Sequence, residues 1–214
     1  MKKDKDRTLG LVQLSLMSAL ILIMAFIPFL GYIPLGFTRA TIIHIPVIIG
    51  SILLGPKKGA FLGLLFGVTS LLNNTFNPTV TSFVFTPFYS VGDASGNALS
   101  LVICFLPRIL VGIVPYYVYK GVRKMLEQKK GAEVVSLSAA GLAGSLVNTL
   151  LVMNFIYFFF GQSYAAARNI SIEALYGVIM GVIGINGVPE AIVAAILTTA
   201  IGGALLRSRR KKNR

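Results

Sequence analysis

Six polar side chains stand inside apolar stretches of this sequence, and their types suit recognition of an organic solute. Arg108 lies in "CFLPRILVG", Asn148, Asn154 and Tyr157 in a long Leu/Val/Phe run, and Asn186 and Glu190 around "NGVPE". Polar groups in such surroundings are costly and are functional candidates by default. A guanidinium offers a rigid fork that matches a carboxylate. Asn154 and Tyr157 are three residues apart and share a helix face, and Asn186 and Glu190 are four apart. Glu190 is the only acidic residue deep in an apolar run, so it is either protonated or paired, and Arg108 or a ligand group can supply the partner. The alternatives for Arg108 are snorkelling to headgroups or pairing with Asp93. Interhelical hydrogen bonding is the alternative for Asn186 and Glu190.

Other chemistries lack their residues. The chain has no Gly-rich phosphate loop with a following Lys, no carboxylate pair at catalytic spacing and no Ser/His/Asp set. His44 is the one histidine and Cys104 the one cysteine, which excludes an intramolecular disulfide and a multi-His or multi-Cys metal site. His44 and Cys104 read as structural. The expectation is a binding protein, without catalytic residues, metal or cofactor.

The elements that must carry these residues are membrane helices. Of the 214 residues 55% are hydrophobic and only 13% charged, with mean hydropathy +0.80, against about 25% charged in soluble domains. A bilayer core needs roughly 17–25 helical residues per span. Six candidates make one all-α membrane domain, at about 9–28, 38–54, 58–74, 99–122, 135–160 and 174–206. Pro28 ends the first, Gly55-Pro56 ends the second, and a re-entrant third segment is the alternative to a span. "MKKDKDR" before an apolar run imitates a secretory signal. The run is near 20 residues with no A-x-A-like site after it, so it reads as a retained helix.

The net charge of +13 does not imply nucleic acid, because the basic residues cluster beside the spans. Of the 20 Lys and Arg, 17 fall in the N-terminus, the 57–58 turn, the 120–130 connection and the tail; Arg39, Arg108 and Arg168 remain. Cytoplasmic loops carry the excess of Lys and Arg, so both termini are expected in the cytoplasm, with the basic tail against lipid. Arg39 is expected at the outer end of the second span, in contact with headgroups.

Three small-residue patterns bear on packing. Gly59, Gly63 and Gly67 recur at i, i+4, i+8. Gly177 and Gly181 repeat the spacing, and Ser15 and Ala19 form a small face near the inner surface, fit for internal packing or for a partner subunit. The 76–97 stretch, "FNPTVTSFVFTPFYSVGDASGN", is too polar and turn-rich to span. It reads as an outer lid, with Phe83, Phe85, Phe88 and Tyr89 excluding water and Asp93, Ser95 and Asn97 supplying hydrogen bonds. A passive aromatic anchor at the interface is the alternative.

On "HIPVIIGSILLGPKKGAFLGLLFGVTSLLNNTFNP" (44–78) and "PRILVG" (107–112), the chain resembles the S components of energy-coupling factor (ECF) vitamin transporters over nearly its whole length. Within them it looks most like the pantothenate-type subgroup. The resemblance implies a six-helix protein of the bacterial plasma membrane that captures a vitamin outside. Its partners would be a transmembrane T component and two ATPase subunits that hydrolyse ATP. It implies that Ser15 and Ala19 face the T component, with Ser in place of a frequent Ala. It also implies that Asn186 lines the pocket and that the 76–97 loop lids it. Pantothenate carries a carboxylate, hydroxyls and an amide, which suit Arg108, Asn148, Asn154, Tyr157 and Asn186. Pyridoxine or riboflavin would use similar groups. A stand-alone proton-coupled carrier acting through Glu190 is a rival, but such folds show related halves and this sequence shows no internal repeat.

Overall fold

The structure, a computed structural model, describes residues 2–27, 31–35, 38–127 and 129–212. Pro28, the Arg39 side chain and the end of the basic tail lie outside what is described. Helix α1 (Lys2–Phe26) leads to a hairpin of β1 (Tyr32–Leu35) and β2 (Thr38–Thr41). Helices α2 (His44–Leu54) and α3 (Pro56–Phe76) follow, joined at Gly55. A loop with one 3-10 turn (Ser82–Val84) and a two-residue ribbon, β3 (Ser90–Val91) and β4 (Ala94–Ser95), connects to α4 (Ala98–Val111) and α5 (Val114–Met125). Then come α6 (Ala132–Ala167) and a last helical column of α7 (Ile172–Val182), α8 (Val188–Leu197) and α9 (Gly203–Lys212), joined by the π-turns Ile183–Gly187 and Thr198–Gly202.

Five stretches are long and apolar enough to cross a membrane: Thr8–Phe26, Pro56–Phe76, Ala98–Met125, Ala132–Ala167 and Ile172–Arg210. They match the first, third, fourth, fifth and sixth expected spans. The second departs from expectation. Its helix starts at His44, because Thr38–Thr41 pairs with Tyr32–Leu35 as a strand, Thr41 opposite Tyr32. Pro46 fits where it stands because the first helical turn needs no N–H there. The remaining 11 residues measure about 16 Å at 1.5 Å per residue, roughly half a bilayer core. This short helix is buried continuously from His44 to Ile52. The third segment is an unbroken 21-residue helix, long enough to span, not a re-entrant turn.

Two apolar clusters form the interior. One gathers Ile21, Ile48, Leu62, Phe66, Leu137 and Ala194 around α2. The other gathers Phe83, Ile103, Ile156, Phe160, Leu175 and Ile179 under the 76–97 loop. The glycine row of α3 seats α4 against it. A Cβ at Gly59 would strike the Gly112 carbonyl oxygen, one at Gly63 the Arg108 carbonyl oxygen, and one at Gly67 the Phe105 ring. This is internal packing by close backbone approach. Cys104, free and buried, points its thiol at the Gly67 carbonyl, 3.4 Å away. A Cβ at Gly177 or Gly181 would meet nothing within 4 Å, and Ser15 and Ala19 are exposed on α1.

The contact at Gly63 predicts a stability asymmetry. Overpacking costs about 1–3 kcal/mol or more, so Gly63→Leu should lower the thermal midpoint in detergent by several degrees. Gly121→Leu, at a position with nothing within 4 Å, should leave it near the starting value. The buried Cys104 supplies the readout, since a dye that fluoresces on reaction with thiols reports opening of the α3–α4 contact. Equal midpoints for both variants would show that this contact does not hold the helices.

Candidate functional site

A cavity of about 390 Å³ lies between the two clusters. Its walls come from α3, α4, α6 and the π-turn column, with the β2 end and the 76–97 loop closing over them. On α3 the lining residues are Phe66, Ser70, Asn73 and Asn74, a helical i, i+4, i+7, i+8 face, with Asn77 following just past the helix end. The spacing of this polar stripe is legible in the sequence.

Arg108 forms the α4 wall, only 7% exposed. Its guanidinium sits 5.2 Å from the Phe85 ring centre and 5.7 Å from that of Phe66, in cation–π range. Nη1 donates to the Ile103 carbonyl at 2.6 Å. The charge is thus held by two rings and its own helix, on a backbone fixed by Gly63.

Helix α6 contributes a row at i+4 intervals: Asn148, Val152, Ile156, then Tyr164 and Arg168. Four residues advance about 400°, 40° past one turn, so in a straight helix such a row rotates off its face. Backbone angles at Phe160 (φ −130°, ψ 15°) break the helix and reset the row. The side chain of Phe160 turns into the second cluster, edge-on to Phe83 at 5.9 Å. Asn154 and Tyr157 do not line the cavity, against the expectation from their shared face. They follow Asn148 by six and nine residues, which turns them about 240° and 180° away. Asn154 donates to its own Leu150 carbonyl at 2.7 Å, and the Tyr157 ring packs against Tyr176 at 5.2 Å.

The last column supplies Val182, Asn186 and Glu190 at i, i+4, i+8. Pro189 has no N–H to give the carbonyl four residues back and clashes with it. The backbone loosens into the Ile183–Gly187 π-turn, a common way to set a functional side chain. Asn186, 6% exposed, reaches the cavity, and its amide oxygen has no hydrogen-bond partner in the protein; the Asn148 amide oxygen is likewise buried without one. Glu190 lines the cavity and also has a protein partner. Its Oε1 accepts from the Thr41 backbone N–H at 2.6 Å, tying α8 to the end of the hairpin.

The 76–97 loop is pinned over the site. Ser82 Oγ donates to Asn74 Oδ1 at 2.8 Å, Thr75 and Thr86 hydroxyls meet at 2.7 Å, and Ser100 Oγ donates to the Phe83 carbonyl at 2.7 Å. Of the expected lid residues, Phe85 lines the cavity, while Phe83 and Tyr89 pack into the second cluster. Phe88 points outward, 76% exposed. Asp93 is exposed in the β3–β4 turn. Asn97 caps α4, accepting from the Leu99 N–H at 2.8 Å. The loop's hydrogen-bonding contributions to the cavity are instead Asn77, Thr79 and Thr81. Thr149, Tyr164 and Arg168 are further lining residues that polarity within an apolar run does not single out. His44 is buried outside the cavity wall, and among the described residues no His/Cys/Asp/Glu group could hold a metal.

Comparison with known proteins gives a consistent result. A family model described as "ECF transporter, substrate-specific component" matches residues 10–202. The chain is 39% identical over 210 residues to the pantothenic acid transporter PanT of Lactococcus lactis subsp. cremoris, covering 98% of each. It is 32% identical over 210 residues to the pantothenate transporter PanT of Leuconostoc mesenteroides subsp. mesenteroides, covering 95% of each.

The Glu190–Thr41 bond carries its own test. A hydrogen bond to a charged group contributes about 1.5–3 kcal/mol, roughly a tenfold to hundredfold change in an equilibrium. Glu190→Ala should speed amide exchange at Thr41 by about that factor, while Glu190→Gln, which keeps an acceptor oxygen, should stay much closer to the original rate. Unchanged exchange in Glu190→Ala would mean the hairpin is held by other contacts.

Proposed function

The chain belongs to the substrate-specific components of ECF transporters, and on that premise we propose that its cavity captures pantothenate from outside the cell. It is a multi-pass protein of the bacterial cell membrane, and the family implies a vitamin as substrate and T and ATPase subunits as partners. The observation that carries the substrate reading is the pairing, in one cavity, of a buried guanidinium with two buried amide oxygens that have no protein partner. Arg108 binds the carboxylate. The Asn148 and Asn186 oxygens accept from the ligand's hydroxyl and amide protons. Val152, Met153, Ile156 and Val182 form an apolar patch that takes the geminal dimethyl group. The cavity volume falls within the roughly 300–1,000 Å³ typical of small-molecule sites. The two PanT proteins, named as pantothenate transporters, support the same ligand.

The basic clusters put both termini in the cytoplasm in this reading, so the cavity opens outward. Helix α1 is the least buried span: Leu16 is 65% exposed, and Ser15 and Ala19 lie on the exposed side. That small face docks the T component, and transport draws on ATP hydrolysis by the two ATPase subunits. Glu190 has a structural part through Thr41, so no proton-coupled carriage through it is needed.

Two measurements test this function. Pantothenate and pantothenol, its alcohol analogue, are titrated by calorimetry into the protein and into Arg108→Gln. The acid should weaken about tenfold to hundredfold, the worth of a charged hydrogen bond. The alcohol should bind weakly from the start and lose little more. Equal weakening of both ligands would assign Arg108 to folding and remove it from the carboxylate. Separately, Ala19→Trp should leave pantothenate affinity unchanged and abolish uptake when the T component and ATPases are present. Loss of binding and uptake together would mean that this face packs internally.

A further inference from the structure

We propose that Arg168 is a second anion-recognition residue, which captures the ligand's carboxylate at the mouth of the cavity before Arg108 holds it. The inference rests on the reading of the cavity as a pantothenate site, and it adds a stage to binding. Arg168 lines the same cavity as Arg108 but belongs to its open end. Arg108 is 7% exposed, whereas Arg168 is half-buried, and the loop residues Asn77 and Val80 that share the lining with it are exposed.

The backbone around the residue is set by a hydrogen-bonded turn. Arg168 follows the last residue of α6, where the chain makes a Schellman turn. Ile170 N–H reaches back to the Ala165 carbonyl at 3.0 Å and Asn169 N–H to the Ala166 carbonyl at 3.1 Å. Asn169 takes the left-handed conformation (φ 54°) that this turn requires. The guanidinium lies over the Tyr164 ring at 5.9 Å, and Tyr164, one turn back, is itself a lining residue only 6% exposed. A cation at a helix C-terminus is also favoured by the macrodipole. The dipole does not account for the break at Phe160, which brings this last turn back to the cavity.

Exposure makes the two arginines successive. Arg108 is buried deep in the wall, whereas Arg168 is half-buried beside the exposed loop residues Asn77 and Val80. A ligand entering past the exposed residues meets Arg168 first and Arg108 after. The acidic residues Asp93 and Glu173 are exposed and do not line the cavity, and the one acid among the described lining residues, Glu190, is engaged by the Thr41 N–H. A charge at the rim of a binding site acts mainly on the association rate and its salt dependence.

The test uses the full chain in detergent, with radiolabelled pantothenate and pantothenol, at low and high salt. Arg168→Gln should slow pantothenate association by about three- to tenfold at low salt, within the range of electrostatic steering, and flatten its salt dependence. Dissociation should change by less than about twofold, and pantothenol association should not change. Arg168→Lys keeps the charge and should restore most of the rate. Three results would overturn the inference: equal slowing of acid and alcohol, an effect confined to dissociation, or an unchanged acid association rate in Arg168→Gln. If the unaltered protein binds neither compound, the pantothenate reading itself falls and this inference with it. Normal binding by the unaltered protein with no effect of Arg168→Gln overturns this inference alone.

Discussion

An 11-residue helix cannot cross a bilayer, and much of this molecule follows from that constraint. Helix α2 is buried along its length, so its neighbours must supply the lipid-facing surface on every side. Because α2 begins at His44, no helix among the described residues fills the column beyond it. Thr41, Phe85 and the α3 amides close around the space left there. The hairpin before α2 ends at that space and is tied to the last column through Thr41 and Glu190. The cavity lies beside the point where the chain makes a hairpin in place of a longer second helix.

The cavity's character then depends on how one positive charge is kept in it. A guanidinium out of water needs partners for its face and its N–H groups. Phe66 and Phe85 cover the face, and the Ile103 carbonyl takes one nitrogen. The Arg108 backbone packs directly on α3 because α3 offers Gly63 at the contact. In the same cavity Asn148 and Asn186 present acceptors, and Val152, Met153 and Ile156 of α6 line it with apolar side chains. In the reading proposed above, a solute is recognised by charge at one point, hydrogen-bond donors at two, and shape along an apolar surface.

The spans, the glycine row and the positions of Arg108, Asn148, Asn186 and Glu190 are legible in the sequence, because hydropathy and polar residues in apolar runs are strong local signals. What depends on long-range geometry is not. Composition starts the second span at 38, because apolar content does not distinguish a short strand paired with Tyr32–Leu35 from the start of a helix. Asn154 and Tyr157 share a face as expected, but that face points away from the cavity. The phase of α6 relative to its neighbours cannot be read from spacing within α6. Asp93 and Asn97 are polar for local reasons, a turn and a helix cap, and those reasons look in sequence like ligand contacts. The Ser70–Asn77 stripe is visible in its spacing but lies at the end of a span, where polar residues are ordinary.

The glycine row also sets where this chain is free to change through descent. On the outward face of α6, Val134, Val135, Leu142, Leu150 and Phe158 are exposed, and one apolar residue can replace another there with little effect on burial or fit. At Gly63 a single added methyl collides with the backbone that carries Arg108. Drift is therefore inexpensive over most of the surface and close to forbidden at a few interior positions that have no side chain at all. Relatives can differ at most positions, as those at 39% and 32% identity do, and the collision at Gly63 marks where such freedom stops in this chain.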